Sequence, residues 1–297
     1  MKRINIKTPI NFLNNDIEKI KSSVSDRIYQ DPIINKYIKE NEIPLSFVND
    51  NLALFLRMHE ENKSCLNCKG YLSCPKSELE KGYLTFVDAD ENIYYEKCKH
   101  YEDFLTKISK YIYHDFDDEY INLTFQDLNF KDFQISRLIK KIKKSIDNST
   151  SLYVHSKDSI SIINKIYIAT INGQLNNSKK VAYIRSSTLK DKFERLNRFE
   201  TDKYFDKFNE LSNVDILVIE GLGNEESSNF YKYSFLLDLL TYREKNHLLT
   251  FISSYYSLKE LKEVYGGYNL TSKTNLLISK INELVEEVSF NTLVREE

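Results

Sequence analysis

A chain of 297 residues with 41% hydrophobic residues is long enough to bury a core of its own, as one large or two ordinary domains. Lys and Arg number 42 against 44 Asp and Glu, and the formal net charge of −2 argues against a broadly basic protein that coats nucleic acid. No apolar run approaches the roughly 20 residues of a membrane span, and Met1-Lys2-Arg3-Ile4 leads into polar residues and not a secretory apolar stretch, so a soluble cytoplasmic protein is expected.

In chain order, residues 16–41 carry Ile17, Ile20, Val24, Ile28, Ile33, Ile34, Tyr37 and Ile38 at helical spacing, with a break at Asp31-Pro32. A further helix is expected over 46–60. All four cysteines then fall together, at 65, 68, 74 and 98. Between the last two, GYLTFVDADENIYYEKC reads as a hairpin of two β-rich runs around the polar turn 88–92. Helix resumes over 101–113, and the acidic DFDDEY at 115–120 marks a domain boundary. The resulting division is 1–114, a linker over 115–130, and 131–297.

The cysteine cluster needs a cause, and disulfides compete with a metal. Disulfide scaffolds are short chains without a core, unlike this one, which favours zinc. Cys65-x2-Cys68 supplies the tight turn of a zinc knuckle, and Cys98 follows the hairpin and can close the site. The fourth ligand is open between Cys74 and His100. The plain alternative is four free buried thiols. A site closed by four protein ligands is structural and not catalytic.

The second part alternates strands and helices. Strands are expected at Leu152-Tyr153-Val154, Val181-Ala182-Tyr183-Ile184, 215–220, 248–254 and near 287–292. Helices are expected over about 159–172, in the stretch to 211, and over 228–246, 257–265 and 273–285. Continuous apolar strands between helices predict a parallel α/β sheet covered on both faces, with ligands at the carboxyl ends of its strands. Two loops there merit attention: HSKDSISII after Val154, and Glu220-Gly221-Leu222-Gly223. Taken alone, the first is an ordinary strand-to-helix turn with serine caps, Lys157 is a surface charge, and Glu220 is a solvent-facing strand end. The basic run 137–144 (RLIKKIKK) could touch single-stranded DNA, but it reads better as a helix burying Leu138, Ile139 and Ile142.

These motifs, in this order, resemble the bacterial primosomal helicase loaders of the DnaI/DnaC type over nearly the whole chain. The N-terminal likeness lies in the IKEN helix, Cys65-x2-Cys68, Cys74, Gly82-Tyr83 and Tyr94-Tyr95-Glu96-x-Cys98. The C-terminal likeness lies in Leu123-Thr124-Phe125-Gln126-Asp127-Leu128, LYVHSKDSISIINKIYIATIN, VDILVIEGLG, Tyr242-Arg243 and LLTFISSYYSLKEL. The resemblance implies an N-terminal helical zinc domain that docks on the replicative helicase, then an AAA+-like, P-loop type domain. In the family a histidine follows the Gly-Tyr; Leu84 stands there and cannot ligate, which is why Cys74 is preferred.

Against the family pattern the nucleotide site is degenerate. Ser156, Ser159 and Ser161 stand where glycines belong, and Ile162 and Ile163 replace the lysine and the metal-holding hydroxyl. Of the acidic pair only Glu220 remains, beside Gly221. Tyr255 takes the place of a polar residue, and Asn275 and Ser279 align with expected arginines. The expectation is a pseudo-ATPase: a monomeric, zinc-stapled loader that binds the helicase and does not hydrolyse ATP. Three serine hydroxyls at a helix start retain some capacity to hold phosphate weakly. Two other readings stay open: an active loader that binds ATP unconventionally, and a zinc-stapled adaptor outside replication.

Overall fold

The computed structural model describes residues 10–128, 132–175, 179–226, 228–267 and 272–292. The start Met1-Lys2-Arg3-Ile4 lies outside them, as do the side chains of Ile17 and Ile20. The chain forms two compact units, Met1–Thr106 and Lys107–Glu297. No helix among the described residues is long and apolar enough to cross a membrane.

The first unit begins with α1 (Ile10–Gln30), α2 (Pro32–Glu40), α3 (Leu45–Asp50) and α4 (Leu52–Cys65). The break at Asp31-Pro32 has a local cause. The Asp31 carboxylate accepts the N–H groups of Ile33 at 2.8 Å and Ile34 at 3.2 Å, and Pro32 takes the first helical position, where no N–H is needed. Strands β1 (Tyr83–Val87) and β2 (Ile93–Lys97) pair antiparallel as the sequence predicts. The turn is fastened by Asp88, whose carboxylate takes the N–H groups of Asp90 and Asn92. Ile28, Ile34, Val48, Phe55 and Val87 form a fully buried core. Two polar ties fix the hairpin to it. The Tyr37 hydroxyl donates to the Val87 carbonyl at 2.7 Å and accepts its N–H, and buried Glu61 accepts the N–H and hydroxyl of Thr85.

Helix α5 (Lys99–Ile108) is shorter than the expected 101–113. Tyr111–His114 is instead strand β3, paired in parallel with a strand of the second unit. The apolar and aromatic run Tyr111-Ile112-Tyr113 suits a sheet edge as well as a helix end, and pairing decides it. The units therefore divide at Thr106 and not at 114. Residues 115–128 are also fixed within the second unit: the Asn172 side-chain amide donates to the carbonyls of Tyr120 at 2.9 Å and Leu123 at 2.8 Å, and the Tyr111 hydroxyl donates to its oxygen.

The second unit continues with α6 (Phe133–Asp147), β4 (Ser151–His155), α7 (Ile160–Leu175), β5 (Val181–Arg185), α8 (Ser186–Phe199), α9 (Thr201–Ser212) and β6 (Ile216–Glu220). A π-helical stretch, Tyr231–Leu236, leads into α10 (Leu237–Lys245). There follow β7 (Leu249–Ser254), α11 (Leu258–Gly266), α12 (Ser272–Leu284) and β8 (Val285–Ser289). The six strands run in the order β3-β5-β6-β7-β4-β8, every pair parallel. Leu152, Tyr153, Val154, Leu217, Val218 and Ile219 are fully buried, the signature of a sheet covered on both faces. In α6 the basic run places Leu138, Ile139 and Ile142 in the core, while Lys141 pairs with Glu286 at 2.6 Å.

Candidate functional site

The loop after β4 lies where this topology would place a phosphate-binding turn, at the carboxyl edge between β7 and β8. Its groups are committed within the chain. The Ser156 N–H donates to the Ser254 carbonyl of β7 at 3.0 Å. The Ser156 hydroxyl accepts the N–H groups of Asp158 at 3.3 Å and Ser159 at 3.0 Å, and donates to Asn291 Oδ1 at 3.3 Å. Ser159 Oγ lies 3.1 Å from Thr292 Oγ1 and accepts the Thr292 N–H at 3.3 Å. Ser156 and Ser159 are buried, whereas Ser161 is exposed on the first turn of α7.

Ile162 is half-buried and Ile163 fully buried, so the second of the two isoleucines serves the core. The Lys157 side chain reaches out of the loop to Glu260. Its ammonium pairs with Glu260 at 2.8 Å and lies 5.1 Å from the Tyr256 ring centroid. Glu260 also accepts the N–H and hydroxyl of Ser257 in a capping box at the start of α11. The Lys157 side chain and these Ser257 bonds hold its carboxyl down at about 2.

At the end of β6, Glu220 accepts a 2.6 Å hydrogen bond from the Tyr183 hydroxyl and lies 3.7 Å from Arg185 Nε. Burial, followed by the Glu220 charge, pushes the Tyr183 phenol well above its ordinary value. The carboxylate is thus tied to β5. Gly221 turns away with φ +71°, its N–H donating to the Ser253 hydroxyl at 3.2 Å. Tyr255 is exposed after β7, and Asn275 and Ser279 lie exposed on α12.

Several residues of this edge escape sequence reasoning. Glu287 of β8 accepts the Leu258 N–H at 2.7 Å and lies 3.5 Å from His155 Nε2. Asn291 and Thr292 reach the loop across more than 130 positions, with no local signal. Glu260 had one, since Ser257-x-x-Glu260 is a readable capping box. At the opposite edge of the sheet, fully buried Arg243 donates to the carbonyls of Ser212 (3.0 Å), Val214 (2.9 Å) and Leu249 (2.6 Å) and to the Thr250 hydroxyl (2.9 Å). Burial lowers its pKa to about 9, which leaves it charged at neutral pH.

In the first unit the four cysteines are half-buried free thiols. Cys65 ends α4, and the Cys68 N–H turns back to its carbonyl at 3.2 Å. Cys74 follows a short 3-10 turn, and the Cys98 N–H donates to the Gly82 carbonyl at 2.8 Å, which brings the end of β2 to the start of β1. Burial raises the Cys65 thiol; Lys76 opposes this, and Cys68, Cys74 and Cys98 add to it. The three other thiols are therefore its electrostatic neighbours. His100 is exposed. The donor chemistry suits zinc, yet among the described residues no three His, Cys, Asp or Glu side chains are gathered into a metal-holding group.

The loop-bearing strand β4 lies between β7 and β8 in a six-stranded parallel sheet, and the unit is an α/β domain. The solved structures that share it include DnaI, at 16% identity and a TM-score of 0.54 over 62% of this chain and 98% of that one. They include a structure described as a candidate primosome component from Streptococcus pyogenes serotype M3, at 14% identity and a TM-score of 0.50 over 64% and 97%. The DnaC helicase loader matches at 19% identity and a TM-score of 0.48 over 59% and 100%. At these identities the likeness is one of fold. No protein-family model matches the sequence, and no curated protein matches it.

Proposed function

We propose that this protein is a replication accessory factor of the helicase-loader kind that binds the replicative helicase and does not hydrolyse ATP. The fold shared with DnaI supports the first half. The observation that carries the second is the loop after β4. Isoleucines occupy the lysine and hydroxyl positions, and Ser156 and Ser159 are spent on Ser254, Asn291 and Thr292. A phosphate loop works by offering free N–H groups, a lysine and a magnesium-holding hydroxyl; here the N–H groups of Asp158 and Ser159 are bonded to Ser156.

In this reading Cys65, Cys68, Cys74 and Cys98 hold a structural zinc ion, with His100 as the reserve ligand, and the first unit carries the helicase-binding surface. Release from the helicase then follows mass action or competition, since nucleotide turnover supplies no timer. The test is a pull-down with the cognate replicative helicase, with and without ATP. Capture unaffected by ATP is expected. Capture that requires ATP returns the protein to the active loaders, and no capture in either condition removes both loader readings in favour of an adaptor outside replication.

A further inference from the structure

We propose that residues 290–292 form a strap that closes the loop after β4 and opens as one unit with it. The strap continues β8 by one ladder bond: the Phe290 N–H donates to the His155 carbonyl at 2.9 Å, and the Phe290 side chain is buried. Asn291 then accepts the Ser156 hydroxyl, and Thr292 meets Ser159 through both its N–H and its hydroxyl. Two serine hydroxyls, 2% and 4% exposed, thus find their partners in one three-residue stretch. A buried hydroxyl without a partner is costly, so the strap and the loop need each other.

The coupling runs through Ser156. Its oxygen accepts from Asp158 and Ser159 while its proton goes to Asn291. Lifting the strap therefore loosens the turn that starts α7. Beyond the strap, the loop's other ties go to β7 and α11, through Ser254 and Glu260. The strap is built of polar contacts around a single buried phenylalanine, beside β4, whose residues Ser151 to Val154 are buried. Such segments open at lower free energy than the core they border. The device is therefore a local two-state element at the carboxyl edge, independent of which partner the protein binds.

Amide hydrogen exchange on the full chain tests it. The amides of Phe290, Thr292, Asp158 and Ser159 should share one protection factor to within about threefold, and exchange at least about tenfold faster than the β6 amides. The double variant Asn291→Leu with Thr292→Val keeps Phe290 and the side-chain bulk. It should speed all four amides together and leave β6 unchanged. Loss of protection at Phe290 and Thr292 alone would show that the loop stands without the strap. Protection of all four at the level of β6 would show that the strap opens only with the whole fold. Either result overturns the proposal.

Discussion

The ammonium of Lys157 lies 2.8 Å from Glu260 Oε1, joining the loop after β4 to the capping box that starts α11. Glu260 titrates at about 2, below the ordinary 4.5, so its folded-state pKa is depressed. A depressed carboxylate stabilises the fold above its unfolded pKa, and the contribution drains away as pH falls through the folded value. Part of the acid destabilisation between about pH 4.5 and 2 should therefore belong to this residue. Urea unfolding of Glu260→Gln beside the unmodified protein, across that range, should give a flatter pH dependence for the variant.

Arg243 is expected to be the costliest surface-remote substitution. Arg243→Met leaves the carbonyls of Ser212, Val214 and Leu249 without their donor. An unsatisfied buried acceptor costs roughly 1–3 kcal/mol, so a loss of at least about 3 kcal/mol is expected in denaturant unfolding. Arg243→Lys should recover only part of it, because one ammonium cannot span the positions that the guanidinium fork reaches.

Asn172 holds residues 115–128 against α7 through the Tyr120 and Leu123 carbonyls. Asn172→Leu should free that segment with a loss of about 1–3 kcal/mol. Limited proteolysis should then cut first within 115–128, a stretch expected to resist in the unmodified protein.

Metal analysis separates the ligand sets. The purified protein should hold about one zinc ion per chain. Cys74→Ser should lose it, and His100→Ala should keep it. Near-zero zinc in the unmodified protein would return the four cysteines to plain thiols.

Locally encoded features were legible. The Asp31-Pro32 break, the 88–92 turn and the buried strands β4 to β7 are written in neighbouring residues. Strand β3 was not legible, because four residues lack a period and only pairing with β5 makes them a strand. The partners of Ser156 and Ser159 were hidden for a related reason. Asn291 and Thr292 arrive through the register of β8 on β4, which no window of sequence contains.

Strand β2 has a consequence for the protein in solution. All five of its residues are exposed, Ile93, Tyr94 and Tyr95 among them, and among the described residues it pairs only with β1. A bare strand edge rich in aromatics is adhesive, and a net charge of −2 gives copies little reason to repel each other. Crowding should therefore bring out self-association through the first unit before the second unit loses any of its fold.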